Sequence, residues 1–379
     1  MILAKYKNSQ NSKPLVLHVL TSLHFGGVEK HMEVVSEELN NATMRHIFVA
    51  IGSGGATAEN LKRNGAEVIC LNGEIKIPSL SSIARLTRLF REYRPCVVHT
   101  HGAEANFHGL LAAALARVPI RIGEEIGMPS HSKKAKSVYR QIYRTAHRVI
   151  GVSKVVADWL LSSEEVPESK LVCLYNPARL SEARACLTPD SVQKLRVCYV
   201  GRLEPVKNPL VLVGAACRLI SINVPIEIWI IGDGSQRKQI EQEINKHELS
   251  AQVKLLGFQS EPSQFLRQCS VFVQPSLSEG FSLSLVEAMG CGVPVVVTRV
   301  GGAPELIEPG VTGWLLDDPS AETLAAALVE AWAAGAARLF AMGQQARLAV
   351  AGRFEPAHYL TRLEELYAQV ATERGVDIA

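Results

Sequence analysis

Residues 271–297, VFVQPSLSEGFSLSLVEAMGCGVPVVV, decide the fold. An apolar run (271–275), a loop containing Gly280, a short helical stretch and a second apolar run (293–298) follow one another closely. Short apolar runs bounded by turn residues read as strands buried on both faces, the pattern of a parallel sheet. Two acids stand eight positions apart, Glu279 in the loop at the first strand's carboxyl end and Glu287 on the first turns of the helix. Open α/β sheets bind ligands in the crevice outside the carboxyl ends of their strands. The backbone N–H groups from Gly280 to Leu285 open the helix, and a helix N-terminus attracts anions. The segment thus offers a phosphate cradle flanked by two carboxylates that can hold hydroxyl groups, which suits a phosphorylated sugar.

The same strand–helix rhythm extends both ways. Upstream, LVLHVL (15–20), HIFVAI (46–51), VICLN (68–72), CVVHTH (96–101), IRIG (120–123), RVIGVS (148–153) and LVCLYNP (171–177) alternate with helical periodicity such as Ile83, Leu86, Leu89, Phe90 and Tyr93. The rhythm lapses in SEARACLTPDSVQK, then restarts with RVCYVG, IEIWIIG (226–232), VKLLG (253–257) and GWLL (313–316). Strands alternating with helices predict two doubly wound parallel sheets. The predicted units are residues 1–187, residues 188–355 and a final amphipathic helix within 356–379.

Length and composition agree. A chain of 379 residues fits two domains of ordinary size. The net charge of +3 is small and does not argue for a nucleic-acid binder, which usually shows a strongly basic domain. Eight cysteines lie scattered without a Cys-x-x-Cys pair, so they read as reduced, packed thiols of a cytoplasmic protein. The apolar run after the polar first fourteen residues is too short for a signal peptide or a membrane span.

Further residues sit where strands end. Arg202 and Lys207, in VGRLEPVKNP, follow a buried strand at the same edge as Glu279. Solvated loop cations are the plainer reading, but beside a second phosphate-cradling loop a phosphate-binding pair is favoured. Gly26 and Gly27 open the first helix and permit close backbone approach, although such a pair is often only conformational. His99 and His101 alternate onto one face of their strand; His99 reads as core, and His101 is open between core and site. GDGSQR (232–237) carries Arg237 where a dinucleotide fingerprint needs its third small residue, so NAD binding does not follow. No Asp-x-Asp and no His/Cys cluster with metal spacing occurs. A bound diphosphate would be neutralised by Arg202, Lys207 and helix dipoles, and no metal cofactor is expected. Residues 133–148 place Lys133, Lys136, Arg140, Arg144 and Arg148 at three- or four-residue steps. They read as a solvated face or, alternatively, as a dock for anionic lipid.

SEGFSLSLVEAMGCGVPVV resembles the signature of the retaining glycosyltransferases of family 4 (glycosyl transferases group 1), and VGRLEPVKNP, IIGDGS, LLGF, VGGAPELI, GVTGWLL, FGGVEK, VVHTHG, VIGVS and YNP extend the resemblance. It implies the GT-B fold: two Rossmann-like domains facing across a cleft, with a last helix crossing back to the first. The implied donor is a nucleoside-diphosphate sugar. Arg202 and Lys207 would bind its diphosphate, with the amides of Gly280, Phe281, Ser282 and Leu283 on phosphate or sugar. Glu279 would hold the sugar ring, Glu287 the ribose, and the loop after Gly257 and Phe258 the base. Gly26 and Gly27 would lie over the phosphates and His101 near the transferred sugar, giving Glu279, His101, Arg202 and Lys207 as the catalytic set. Where many members carry a His in the stretch GEEIGMPSH, this chain has Ile126, which leaves the acceptor side least defined; Glu124 or Glu125 is a conceivable substitute. The implied reaction moves a hexose to a glycan or lipid-linked acceptor. A silent GT-B subunit that binds a nucleotide sugar or a partner transferase is the alternative.

Overall fold

The computed structural model describes residues 13–24, 26–128, 131–180 and 194–377. Seven parallel strands form the first sheet: β1 (Leu15–Leu20), β2 (Arg45–Ala50), β3 (Glu67–Cys70), β4 (Val97–His101), β5 (Ile120–Glu125), β6 (Arg148–Gly151) and β7 (Leu171–Cys173). Their order is β3-β2-β1-β4-β5-β6-β7, so the winding reverses between β1 and β4. Six parallel strands form the second: β8 (Leu195–Val200), β9 (Ile226–Ile231), β10 (Val253–Gly257), β11 (Val271–Gln274), β12 (Val295–Thr298) and β13 (Gly313–Leu316). The order β10-β9-β8-β11-β12-β13 reverses between β8 and β11. The doubly wound architecture is as the apolar runs predict. The predicted 187/188 boundary lies outside the described residues.

Most strands match their apolar runs, and the exceptions have physical causes. The sequence pattern ends β5 at Gly123, but the strand continues through Glu124 and Glu125, paired with His101 and Gly151. Both acids are buried and hydrogen-bonded, so they stay in the ladder despite their charge. β12 begins two residues late, after Pro294, which has no N–H to donate to a ladder. β7 stops at Cys173, and Tyr175 turns toward the second domain.

The last helix, Pro356–Arg374, returns to the first domain. Tyr359, Leu360, Leu363, Tyr367 and Val370 pack with Val16, Val97, Ile120 and Ile150 of the first sheet. Glu364 pins this helix: it accepts hydrogen bonds from the Thr43 N–H and hydroxyl, the Met44 N–H and the His46 ring. Burial alone would raise its carboxyl; these donors bring it down to about 2. The Ala-rich stretch Ala321–Val350 is apolar and long enough to cross a membrane, yet it breaks at Gly335 (φ 74°). Its Leu324, Leu328, Ala331 and Leu339 pack into the second domain's core.

The seven described cysteines are free thiols, with Cys198, Cys269 and Cys291 buried; Cys186 lies outside the described residues. The basic segment is less regular than its spacing suggests. The helix spans Lys133–Thr145, and Arg148 lies on β6, bonded to Glu373 of the last helix. Arg140 bonds Glu164, and Ile142 and Tyr143 belong to the core, so neither apolar side chain is available to a surface partner.

Candidate functional site

Both winding reversals face one cleft. In the second domain, the loop after β8 brings Lys207 to Glu279, which follows β11. The Lys207 ammonium lies 2.6 Å from each carboxylate oxygen. Gln274, the last residue of β11, donates its amide to Glu279 Oε1 at 2.7 Å, and the Ser276 hydroxyl donates to the same oxygen at 2.8 Å. The carboxylate of Glu279 is thus fixed from three sides while its side chain keeps 9% exposure. Gln274 also accepts from the Ser282 hydroxyl at 2.8 Å, and Ser282 caps the helix Leu283–Gly290 by accepting from the Leu285 N–H. A strand residue, a loop acid and a helix cap form one hydrogen-bonded unit.

Arg202 is exposed in the same crevice, its carbonyl held by the Tyr199 hydroxyl at 2.9 Å. Across the cleft, burial raises the Glu29 carboxyl and the Arg202 charge acts against that rise. Glu29 stands on the first helix, Gly27–Glu37, whose cap is Gly26; both glycines therefore lie beside the β1–β4 reversal, opposite Arg202. Burial also raises Glu287, against the charges of Lys30 and Arg179. The Phe281 ring packs 5.4 Å from Phe354 and 5.6 Å from Tyr175, so this residue brings only its backbone to the cradle loop. Gly257 (φ 68°) and the exposed Phe258 close β10 at the sheet's edge, on the side of β8 away from β11.

His101 takes a different place. It is 2% exposed, and its ring points into a buried chain beneath the last helix. The chain runs from Glu364 to His46 (3.1 Å), His18 (2.8 Å), His101 (3.0 Å) and Glu124 (3.1 Å). Three neutral imidazoles carry three N–H protons, but four contacts link them between two carboxylates. All four are hydrogen bonds only when the chain holds one additional proton. Burial and the surrounding histidines lower His18, and burial sets His31 at about 3 and His99 at about 4. Burial opposes ionisation of Glu124, but His101, His99 and His31 hold it well below the ordinary range. The His18, His99 and His101 nitrogens lie within 4.8 Å of one another, a metal-capable group that sequence spacing does not reveal. The alternation rule places His99 and His101 on one face; the register that sets His18 beside His99 is the missing information. Glu125 accepts from the Tyr143 hydroxyl (2.8 Å) and the Ile126 N–H (3.1 Å), and burial raises its carboxyl to about 7.

The domains touch at the cradle itself. The Ile126 carbonyl lies against Gly280 so closely that a Cβ there would sit 2.0 Å from it. Gly301 (φ 54°) approaches the Glu279 carbonyl just as tightly. Gln274, Ser276 and these contacts are absent from the sequence-derived site. Gln274 reads there as one more residue of a buried strand.

Comparison with known proteins bears on the whole chain. Residues 25–182 match the family described as Glycosyltransferase Family 4, and residues 189–349 match Glycosyl transferases group 1. An Escherichia coli UDP-Gal:alpha-D-GlcNAc-diphosphoundecaprenol alpha-1,3-galactosyltransferase is 26% identical over 85% of this chain and 88% of its own length. The amylovoran biosynthesis glycosyltransferase AmsK of Erwinia amylovora is 34% identical over 45% of this chain and 46% of its own. Among solved structures, a glycosyltransferase from Rickettsia africae superposes with a TM-score of 0.80 at 20% identity, covering 94% of this chain and 98% of that one. Anabaena HepE in complex with UDP-glucose gives 0.77 at 20% identity, covering 94% and 99%. At these identities the structures show the shared two-domain GT-B fold.

Proposed function

The chain belongs to the family 4 glycosyltransferases of glycosyl transferases group 1, and from that premise we propose that it transfers a hexose, with retained anomeric configuration, from a nucleoside-diphosphate sugar to an acceptor hydroxyl during synthesis of a cell-surface or secreted polysaccharide. The observation that carries this reading is the meeting of Lys207 and Glu279 at the β8–β11 reversal, below the capped helix Leu283–Gly290. A diphosphate there finds the Lys207 and Arg202 charges and the helix N-terminus; a sugar finds the Glu279 carboxylate. Glu287 is the acid for the ribose, and the loop at Gly257 and Phe258 is the wall for the base.

The chemistry is a substitution at the anomeric carbon. Its bond to the diphosphate oxygen breaks with the electron pair passing to phosphate, and the acceptor oxygen bonds to that carbon on the same face while its proton passes to the departing diphosphate. Negative charge grows on the leaving diphosphate, where Arg202, Lys207 and the oriented amides stabilise it. These cations do the work a bridging metal does elsewhere, so the proposed transfer is metal-independent. Relatives whose names place them on a diphosphoundecaprenol-linked sugar or in amylovoran synthesis support a lipid-linked or glycan acceptor; catalysis on the cytoplasmic side, with membrane contact through the basic helix, belongs to the same proposal.

Replacing Arg202 or Lys207 by Ala is expected to lower turnover by roughly two to three orders of magnitude, as loss of a preorganised charge does, with unchanged circular dichroism. Near-normal release of nucleoside diphosphate by both variants would overturn the reading.

A further inference from the structure

The two domains meet at the donor cradle through two side chains, Ser153 of the first and Glu305 of the second, that the reaction as described does not use. Ser153 follows β6 and caps the helix Lys154–Ser162, accepting from the Val156 N–H. Its hydroxyl hydrogen is left for another partner, the Gly280 carbonyl of the second domain, at 3.1 Å. Ser153 is fully buried in this contact. The same carbonyl also accepts from the Gly302 N–H at 3.0 Å. Three residues further on, Glu305 spans the interface in the other direction. Its carboxylate accepts from the Lys154 N–H (3.2 Å) and the Val155 N–H (3.0 Å), and from the Tyr175 hydroxyl (2.5 Å).

The first three N–H groups of that helix, which a helix cannot satisfy internally, are therefore all taken, two of them by an acid of the opposite domain. A carboxylate in this position is also favoured by the helix dipole. The consequence lies at Gly280. A trans peptide is planar, with its C=O and N–H pointing opposite ways. Holding the Gly280 carbonyl toward the first domain aims the Phe281 N–H the other way, into the loop that opens the helix Leu283–Gly290. Gly301, beside Gly302, leaves no room for a Cβ against the Glu279 carbonyl, so the backbone of 279–280 packs directly on that of 301–302.

We propose that Ser153 and Glu305 are positioning residues: together they carry the placement of the first domain to the Glu279–Phe281 backbone, so that the cradle acquires its working shape only when the cleft is closed. The role rests on the glycosyltransferase reading for its catalytic consequence and on geometry alone for its structural one. Arg202, Lys207 and Glu287 all belong to the second domain and make no bond to the clamp, so nucleotide affinity changes little when the clamp is lost, whereas turnover, which needs the oriented amides as charge develops, falls.

The test uses the full chain with Ser153→Ala, Glu305→Gln and the conservative Ser153→Thr. Ser153→Ala and Glu305→Gln are expected to lower kcat by about tenfold or more, a change of ~1.4 kcal/mol in barrier, while the Kd for a nucleoside diphosphate stays within about threefold; Ser153→Thr retains kcat. Amide hydrogen exchange supplies a readout independent of activity. Both disabling variants are expected to speed exchange at Phe281–Leu283 and at Lys154–Val156, and Ser153→Thr is not. Unchanged exchange at Phe281–Leu283 overturns the clamp whatever the activity, as do wild-type kcat values in both variants. Absence of sugar transfer by the wild type, with the exchange changes present, overturns the functional reading and leaves the clamp standing.

Discussion

Single residues were legible where their position, more than their type, carried the information. Arg202, Lys207 and Glu279 each follow an apolar run, and a residue after a parallel strand lies at the ligand-binding edge. Gln274 and Ser153 gave no such signal: one ends a buried strand, the other resembles any helix cap. His18 and His46 each stand alone in sequence, and only the sheet register joins them to His101 and Glu124. Glu364 illustrates how such a residue shows itself experimentally. Its carboxyl is held at about 2, below the ordinary value of 4.5, so the stability it supplies is complete above pH ~4.5 and fades as pH falls toward 2. Glu364→Gln is expected to cost about 2 kcal/mol at pH 7, from donors left poorly paired, and progressively less in acid. Urea unfolding of both proteins at pH 7 and pH 3 checks this; an equal difference at both pH values would refute it.

At the scale of elements, apolar runs located the strands because buried parallel strands need hydrophobic residues on both faces. Errors fell where polar residues stay inside a ladder or a proline leaves it, as in β5 and β12. The basic helix Lys133–Thr145 shows the limit of spacing arguments. Charges three or four apart share a face, yet Arg140 is spent on Glu164, and Arg148 belongs to a strand. Lys133, Lys134 and Lys136 gather at the amino-terminal turn, with Val138 exposed nearby. At about 1 kcal/mol per cation near an anionic surface, the docking proposed for these lysines is weak and salt-sensitive. Flotation with phosphatidylglycerol-containing vesicles is expected to recover the protein at low salt, less at 0.5 M salt (roughly 4 Å screening length), and less for the triple Lys→Ala variant. Absence of flotation at low salt would rule the contact out.

At the scale of the molecule, two sheets with matching winding reversals face each other, and the last helix ties the end of the chain to the first sheet. Local patterns carried the architecture of each half. They could not carry the interface, because its bonds join Ser153 to Gly280 and Val155 to Glu305 across separations of 127 and 150 residues. The cleft is proposed to hold a nucleoside-diphosphate sugar whose leaving charge is met by Lys207 and Arg202. The most direct measurement is nucleoside diphosphate release from a panel of UDP-, GDP- and ADP-sugars, with a lipid-linked glycan acceptor and excess EDTA. Release from one donor class, undiminished by the chelator, is the expected result. Release that requires an added divalent metal, or none from any donor, would contradict it.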